Sequence, residues 1–251
     1  MLLVELTPFQ YAFAFFAFFL GGLVKGTVGI GMKAIILGLL ATVVPLPVAI
    51  ALLIIPGVAA NAWQVLSGGS VMVSLKRIWP LLLACCVGVW LGAGILVIAD
   101  TQLLTIGLGI LLGTYATYAL FAPKIPSPGR HEGWMSPLIG GLNGLAAGMT
   151  GSDVIPGVPY LQAMGLARDE LVQAMGLLFL TASFAIAFSF QQKGLLDTQL
   201  AFSSLVSAIP ALSGYYLGEK VRKRIPEAQF RQLLLLSLLL LGLYIVIRNT
   251  F

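Results

Sequence analysis

Residues 25–33 read Lys25-Gly26-Thr27-Val28-Gly29-Ile30-Gly31-Met32-Lys33 and interrupt the first long apolar part of the chain. The apolar run before this stretch, 9–24, is about 24 Å long as a helix, and the run after it, 34–44, is about 17 Å long, whereas the hydrocarbon of a bilayer is roughly 30 Å thick. Glycines at this density interrupt helices. Because irregular backbone at membrane depth persists only where it is buried in protein or lines a polar cavity, the stretch predicts a broken or re-entrant helix hairpin.

The composition of the chain is that of an integral membrane protein. Of its 251 residues, 59% are hydrophobic and 9% are charged, against about 25% charged in an ordinary soluble domain. At about 20 apolar residues per span, the length allows roughly eight to ten crossings, so we expect a single all-α polytopic membrane domain over 1–251, embedded in the lipid bilayer. The net charge of +5 comes from basic residues spread between apolar blocks. This pattern predicts no nucleic-acid binding and leaves homo-oligomerisation open.

A second glycine-rich break, at 148–153, belongs to a second series of apolar runs. Both series follow the order short, short, long, long, long, which predicts two repeats, at 8–121 and 135–248, joined by the loop 122–134. Each repeat would consist of one broken hairpin followed by three transmembrane helices. The matches are Gly21, Gly22, Leu23 and Gly29, which recur 119 residues later as Gly140, Gly141, Leu142 and Gly148, and Leu91, Gly92 and Tyr118, which recur 126 residues later as Leu217, Gly218 and Tyr244.

The basic residues predict the orientation of the repeats. If each hairpin returns to the side on which it starts, a repeat contains an odd number of segments, and the second repeat is inverted. Placing the basic loop 219–228 in the cytoplasm then puts nine Lys and Arg residues inside and two, Lys193 and Arg248, outside. This distribution satisfies the positive-inside rule. The loop 122–134 is then cytoplasmic, and both termini are outside.

No catalytic or metal-binding motif is found in the sequence. His131 is the only histidine, and Cys85 and Cys86 are adjacent within an apolar run, a spacing that suits neither a structural disulfide nor a zinc site. No phosphate-binding loop is present either. We therefore expect a protein that is not an enzyme and that uses no cofactor or metal ion.

Lys25 and Lys33 flank the first break and are the leading candidates for a functional site. A lysine at mid-membrane costs roughly 2.5 to 3.5 kcal/mol on insertion scales, and binding an anion is the simplest task that would justify it. Lys33 begins the returning segment, where its charge opposes the positive end of the helix dipole unless an anion settles between them. For Lys25 the alternative is that its long side chain snorkels to the headgroups.

Polar residues and glycines near the two breaks complete the predicted site. Glycines let backbone N–H groups approach a ligand, hydroxyl groups donate to oxyanions, and two amide side chains one turn apart on the third apolar run line the same cavity. Helix packing and hydrogen bonding between helices are the alternative uses of such residues. Asp153 is either a proton-coupling group or the N-cap of the following helix. The predicted substrate-binding residues are Lys25, Thr27, Gly29, Gly31, Lys33, Asn61, Gln64, Thr150, Gly151 and Ser152.

The first half carries the pattern Gly21-Gly22-Leu23-x2-Gly26-x2-Gly29-x-Gly31, which returns near Gly140, and basic loops separate the short apolar blocks. In these features nearly the whole chain resembles the sulfite exporter TauE/SafE family. The resemblance implies a secondary transporter of the bacterial inner membrane with two related halves. Its substrate would be a small anion, such as sulfite, sulfoacetate or another organosulfonate. Because the repeats are expected to be inverted, we expect the two helix breaks to meet near the midplane and to bind the substrate there.

Two other functions remain open on the sequence alone. In a proton- or cation-coupled carrier of a non-sulfur solute, Asp153 and Asn61 would coordinate the ion, and the lysines would only snorkel. A membrane assembly factor or intramembrane enzyme would move no solute, and no residue of the sequence points to one.

Overall fold

The computed structural model of the protein describes residues 7–66, 71–121, 125–222 and 227–250. Of the predicted loops, 122–124 and 223–226 lie outside these ranges. Within them the chain forms helices without β-strands, and seven of the helices are long and apolar enough to cross a membrane. The predicted all-helical polytopic fold is therefore confirmed. The helices are α1 (Pro8–Val28), α2 (Met32–Leu40), α3 (Leu46–Leu66), α4 (Val71–Ile98), α5 (Thr101–Phe121), α6 (Glu132–Thr150), α7 (Gly157–Ala163), α8 (Arg168–Gln192), α9 (Thr198–Arg222) and α10 (Glu227–Thr250).

α1 and α2 form the first hairpin. α1 contains 21 residues, about 31 Å of helix, so it is longer than the predicted run 9–24 and belongs to the seven membrane-length helices. Its C-cap is Gly29, whose φ of 88° lies in the left-handed region that favours glycine. α2 contains 9 residues, about 13 Å. It turns back along α1, because Gln10 at the start of α1 donates to the Val43 carbonyl oxygen beyond α2 at 2.7 Å.

α6 and α7 form the corresponding hairpin of the second half. α6 contains 19 residues and has Gly151 as its C-cap, and α7 contains 7 residues. α7 returns along α6, since the Ser136 and Tyr160 hydroxyl oxygens are 2.7 Å apart, and Asn143 Oδ1 accepts from the Gly157 N–H at 2.9 Å. Each half therefore opens with a long helix, a glycine-capped break and a short returning helix.

Glycines allow the backbone of α1 to contact the backbone of α9, and the backbone of α6 to contact that of α4. A Cβ atom added to Gly22 would lie 1.9 Å from the carbonyl oxygen of Ala211, and one added to Gly144 would lie 2.1 Å from that of Cys85. Small residues permit such close helix contacts in membranes. Three further contacts of the first pair of helices each have an equivalent in the second pair. The contact of Gly26 with Tyr215 corresponds to that of Gly148 with Val89, the contact of Gly214 with Phe19 to that of Gly88 with Gly141, and the contact of Gly218 with Leu23 to that of Gly92 with Leu145.

These reciprocal contacts define how the two halves correspond. Residues that make equivalent contacts are 122 positions apart between α1 and α6, and 126 positions apart between α4 and α9. The helix caps follow the first of these spacings, because the Gly29 N–H donates to the Lys25 carbonyl as the Gly151 N–H does to that of Ala147. The predicted spacing of 126 agrees with the contacts of α4 and α9. The predicted spacing of 119 is wrong by three residues, close to one helical turn.

Contacts between helix ends identify the two ends of the bundle. At one end, Arg248 of α10 donates to the Thr42 carbonyl oxygen beyond α2 at 2.7 Å. α3 begins close to Thr42 and runs for 21 residues to the other end, where Arg77 near the start of α4 forms an ion pair with Glu132 at the start of α6, with 3.0 Å between Nε and Oε1. We call these ends the α1 end and the α6 end, after the helix that begins at each. α1 and α6 thus start at opposite ends of the bundle.

Candidate functional site

The first break carries two buried lysines into the bundle. Gly29 and Gly31 both have positive φ, of 88° and 94°, which allows the chain to reverse within a few residues. Lys25 in the last turn of α1 is 4% exposed, and Lys33 in the first turn of α2 is 9% exposed. Lysines are almost never buried unless they are paired. The partners of these two ammonium groups therefore define the site.

Lys33 forms an ion pair with Asp153, which lies in the second break, between α6 and α7. Asp153 is 1% exposed, so both charges are removed from water, and each compensates the other. The N-cap of α7 is Pro156, without a side-chain capping bond, so Asp153 does not serve as that cap. Its carboxylate supplies the negative charge that we expected from a bound anion at the start of α2.

Lys25 has an uncharged partner. Its Nζ donates to Asn61 Oδ1 on α3, and Asn61 Nδ2 donates to Ser183 Oγ on α8 at 3.3 Å. The ammonium nitrogen also lies 5.6 Å from the centroid of the Phe179 ring, within the range of a cation–π contact. An ammonium group has three N–H donors, and Asn61 takes one of them. Lys25 is therefore held inside the bundle rather than extended to the headgroups.

These groups line a small cavity, which we call the lysine cleft. Its lining contains two ammonium groups and one carboxylate, so its formal charge is +1. In surroundings of low dielectric constant this charge favours a small anion. The lining residues are Lys25, Ile30, Gly31, Met32, Lys33, Gly57, Asn61, Asp153, Val154 and Phe179.

Lys33 also lines a second, mostly apolar cavity, which we call the isoleucine pocket. α3 runs from the α1 end towards the α6 end, and its residues in this pocket precede Gly57 and Asn61 of the lysine cleft. α8 runs in the opposite direction, and its pocket residues follow Phe179 of the cleft. Both helices therefore place the isoleucine pocket nearer the α1 end. The lining residues are Lys33, Ile50, Leu53, Ile54, Gly151, Ser183 and Ile186.

The structure brings some of the predicted site residues together and leaves others apart. Thr27 and Thr150 each donate the hydroxyl group to a carbonyl oxygen four residues earlier in their own helix, at 2.7 and 2.8 Å. Gln64 donates to the Val172 carbonyl oxygen at 2.9 Å, near the α6 end. Five predicted residues line neither cavity, namely Thr27, Gly29, Gln64, Thr150 and Ser152. The lysine cleft unites Lys25, Gly31, Lys33, Asn61 and Asp153, and the isoleucine pocket contains Gly151.

Gly57, Phe179 and Ser183 line the two cavities but were not predicted from the sequence. A Cβ atom on Gly57 would lie 3.6 Å from Lys33 Cε and 3.5 Å from Ser183 Oγ, so this glycine leaves room for the lysine against α3. The dipeptide Pro56-Gly57 in the middle of a long apolar span is a signal that could have identified this position. Phe179 and Ser183 lie in a long apolar helix and give no comparable signal.

A larger pocket lies between α1, α3 and α9. Its walls are mostly aromatic and aliphatic, with Tyr11, Gln199, Ser203 and Ser207 as the polar side chains, and none of its described lining residues is charged. An anion would find no compensating charge there. The lysine cleft is therefore the candidate site for a charged ligand.

Comparison with known proteins assigns the chain to a family. Searches of curated proteins and of solved structures find no match to it. The family model of the sulfite exporter TauE/SafE matches residues 14–245, which include both breaks and every residue that lines the lysine cleft or the isoleucine pocket. The match covers nearly the whole described bundle, from α1 to α10. The chain therefore belongs to the sulfite exporter TauE/SafE family of membrane transporters.

Proposed function

We propose that the protein is a secondary transporter that binds a small sulfur oxyanion or organosulfonate in the lysine cleft. Membership of the family supports a permease for sulfur anions. The observation that carries the proposed site is the meeting of Lys25, Lys33 and Asp153 in one buried cleft with a formal charge of +1. Sulfite, sulfoacetate and other organosulfonates are the proposed substrates, because each offers negative charge and several acceptor oxygens to the two ammonium groups.

Binding of the substrate changes the counter-ion of Lys33. An oxyanion that enters the cleft first accepts hydrogen bonds from the Lys25 ammonium group, and it then replaces Asp153 as the counter-ion of Lys33. A buried carboxylate without a partner is strongly unfavourable, so the displaced Asp153 takes up a proton. Substrate binding and proton binding are thereby linked through this one carboxylate.

The path of the substrate passes Lys33. This lysine lines both the cleft nearer the α6 end and the pocket nearer the α1 end, so an anion held on it lies between the two cavities. Inverted repeats, at 8–121 and 135–248, would give such a midplane site access to either side in turn. The opposite starting ends of α1 and α6 and the reciprocal glycine contacts support this arrangement.

The α6 end faces the cytoplasm of a bacterial cell in this proposal. Lys76, Arg77 and Lys220 belong to helix segments at the α6 end, whereas Lys193 and Arg248 belong to segments at the α1 end. More basic residues on the cytoplasmic side satisfy the positive-inside rule. The start of α1 and the end of α10 then lie on the outer side of the inner membrane.

A carrier of cations is the alternative, and the contacts of the cleft disfavour it. Such a carrier would use Asp153 and Asn61 as ligands of the ion. Both side-chain oxygens accept from lysine ammonium groups, that of Asp153 from Lys33 and that of Asn61 from Lys25. A metal or sodium ion would have to displace two buried positive charges, whereas an anion would add to them favourably.

Uptake of radiolabelled sulfite, sulfoacetate and taurine by proteoliposomes tests the proposal. We expect saturable uptake of at least one of the three compounds, and none by liposomes without protein. A Lys220→Met protein, which loses a solvent-exposed lysine, should transport like the parent. Vesicles that take up none of the three anionic or zwitterionic compounds, but do take up a cationic solute, would replace the proposal by the alternative.

A further inference from the structure

The hydrogen bonding of α3 is interrupted between the two cavities. Pro56 lies inside this helix, and proline has no N–H to donate to the carbonyl group four residues earlier, which is that of Leu52. Gly57 follows directly and Asn61 one turn later, and both line the lysine cleft. The conformation of α3 at Pro56 therefore determines where this wall of the cleft lies.

Ser204 on α9 supplies the donor that proline lacks. Its hydroxyl donates to the Leu52 carbonyl oxygen at 2.9 Å and accepts from the Ile55 N–H at 3.0 Å. Ser204 is 0% exposed, so water cannot replace these bonds, and a carbonyl group left unpaired there would be costly. One side chain of α9 thus satisfies backbone groups on the turn that contains the proline.

We infer that Ser204 is a positioning residue for anion binding in the lysine cleft. It holds α3 at Pro56 and thereby keeps Asn61 against Lys25. Ser204 lines neither cavity, so it acts through α3 and does not touch the substrate. The inference rests on the proposed function, because it concerns the same cleft.

The position equivalent to Ser204 in the first half of the protein cannot form the same hydrogen bond. By the spacing of 126 residues between α4 and α9, the equivalent position in α4 is Ile78, which is buried and has no polar side-chain atom. α9 also packs directly on α1, the helix that carries Lys25. α9 therefore contacts α3 through Ser204 and α1 through its glycine contacts, and these are the two helices that carry Asn61 and Lys25.

A double-mutant cycle between Ser204 and Pro56 tests this role. Ser204→Ala removes the donor to Leu52, and Pro56→Ala restores a backbone N–H that can serve the same carbonyl group. Uptake of the labelled anion that the parent carries gives KM and maximal rate for all four proteins, and thermal unfolding gives their Tm. We expect Ser204→Ala to raise KM about five- to tenfold, because the buried Leu52 carbonyl loses its donor, but less than about twofold in the Pro56→Ala background, where that carbonyl regains one.

Ser207→Ala is the matched control, because Ser207 lies one turn further along α9 and donates to the Ser203 carbonyl of its own helix at 2.8 Å. Its KM should equal that of the parent. An equal rise in KM with and without Pro56, or a lower Tm with an unchanged KM, would overturn the positioning role. A parent protein that takes up no anion would overturn the proposed function together with this inference, whereas uptake by the parent with the same KM in Ser204→Ala would overturn the inference alone.

Discussion

Lys33 and Asp153 form a buried ion pair that joins the two helix breaks, although the residues are 120 positions apart in the chain. One partner begins the short returning helix of the first half, and the other precedes that of the second half. Because the two charges compensate each other inside the bundle, removal of either one leaves the other unpaired. The same contact stabilises the fold and must be replaced when an anion binds to Lys33.

Removing one member of this pair should destabilise the protein more than removing both. We expect Lys33→Ala to cost about 3–5 kcal/mol, as for other uncompensated buried charges, and the Lys33→Ala/Asp153→Ala protein to recover most of this loss. Lys33→Arg keeps the charge in a different shape, so it should retain part of the stability and of the uptake. Unfolding of the purified proteins in detergent measures the stability.

Anion uptake separates the two roles of the pair. The Lys33→Ala/Asp153→Ala protein should be folded but inactive, because the charge that binds the substrate is missing. Lys220→Ala, which removes an exposed lysine, controls for the general effect of a lost positive charge. Uptake by the double variant at the rate of the parent would exclude the ion pair from transport.

Lys25 should be required for substrate affinity. Lys25→Met keeps a long side chain but removes the ammonium group, so we expect loss of saturable anion uptake with a change of only about 1–3 kcal/mol in stability, because the Asn61 oxygen loses its donor. Asn61→Ala should raise KM without abolishing uptake, since Lys25 keeps its charge. A parental KM in a folded Lys25→Met protein would show that the substrate does not contact Lys25.

The glycine contacts between helices predict that Gly→Ala substitutions lower stability at some positions and not at others. Gly22→Ala and Gly144→Ala would each place a methyl group about 2 Å from a backbone oxygen of the facing helix, so we expect a loss of about 1–3 kcal/mol from overpacking. Gly107→Ala on α5 meets nothing within 4 Å, and it should be neutral or slightly stabilising because alanine favours the helix. Similar Tm values for all three variants would contradict the close packing of α1 on α9 and of α6 on α4.

The sequence predicted the class of fold and the breaks, because these depend on local composition. The apolar content requires a membrane, and Gly29, Gly31 and Gly151 occupy positive φ values that a glycine-rich stretch suggests. The register between the halves could not be predicted in the same way. Glycine occurs 29 times in the chain, so several alignments match by chance, and only the contacts between helices distinguish 122 from 119.

The sequence predicted which charged residues belong to the site, but not which of them form contacts with each other. The cost of burying lysines identified Lys25 and Lys33 without reference to any partner. Whether Asp153 caps a helix or faces a lysine depends on how distant segments pack, which the local sequence does not encode. The same holds for Ser204, which looks like any serine of an apolar helix until α9 is placed beside Pro56.

Cysteine labelling tests the proposed orientation. In a protein with Cys85→Ala and Cys86→Ala, a membrane-impermeant maleimide should modify Thr198→Cys in intact cells, because residue 198 begins α9 at the α1 end. Lys220→Cys and Arg130→Cys should react only after the membrane is opened. Modification of Lys220→Cys in intact cells would reverse the orientation and place the α6 end outside.

Asp153→Asn tests whether this carboxylate couples substrate movement to protons. Asparagine is close in size to aspartate and can still contact Lys33, but it cannot take up a proton when the substrate replaces it. We therefore expect a folded protein that exchanges labelled substrate across the membrane but no longer accumulates it in response to an imposed pH gradient. Counterflow and pH-driven uptake in proteoliposomes measure these two activities separately.

The matched control is Asp197→Asn, at the start of α9, where the aspartate accepts from the Leu200 N–H at 2.7 Å. Asparagine caps helices about as well as aspartate, so this variant should respond to the pH gradient like the parent. If Asp153→Asn accumulates substrate under the gradient as the parent does, protons move by another route. The ion pair with Lys33 would then serve binding and stability alone, because exchange at the cleft would proceed without protonation of residue 153.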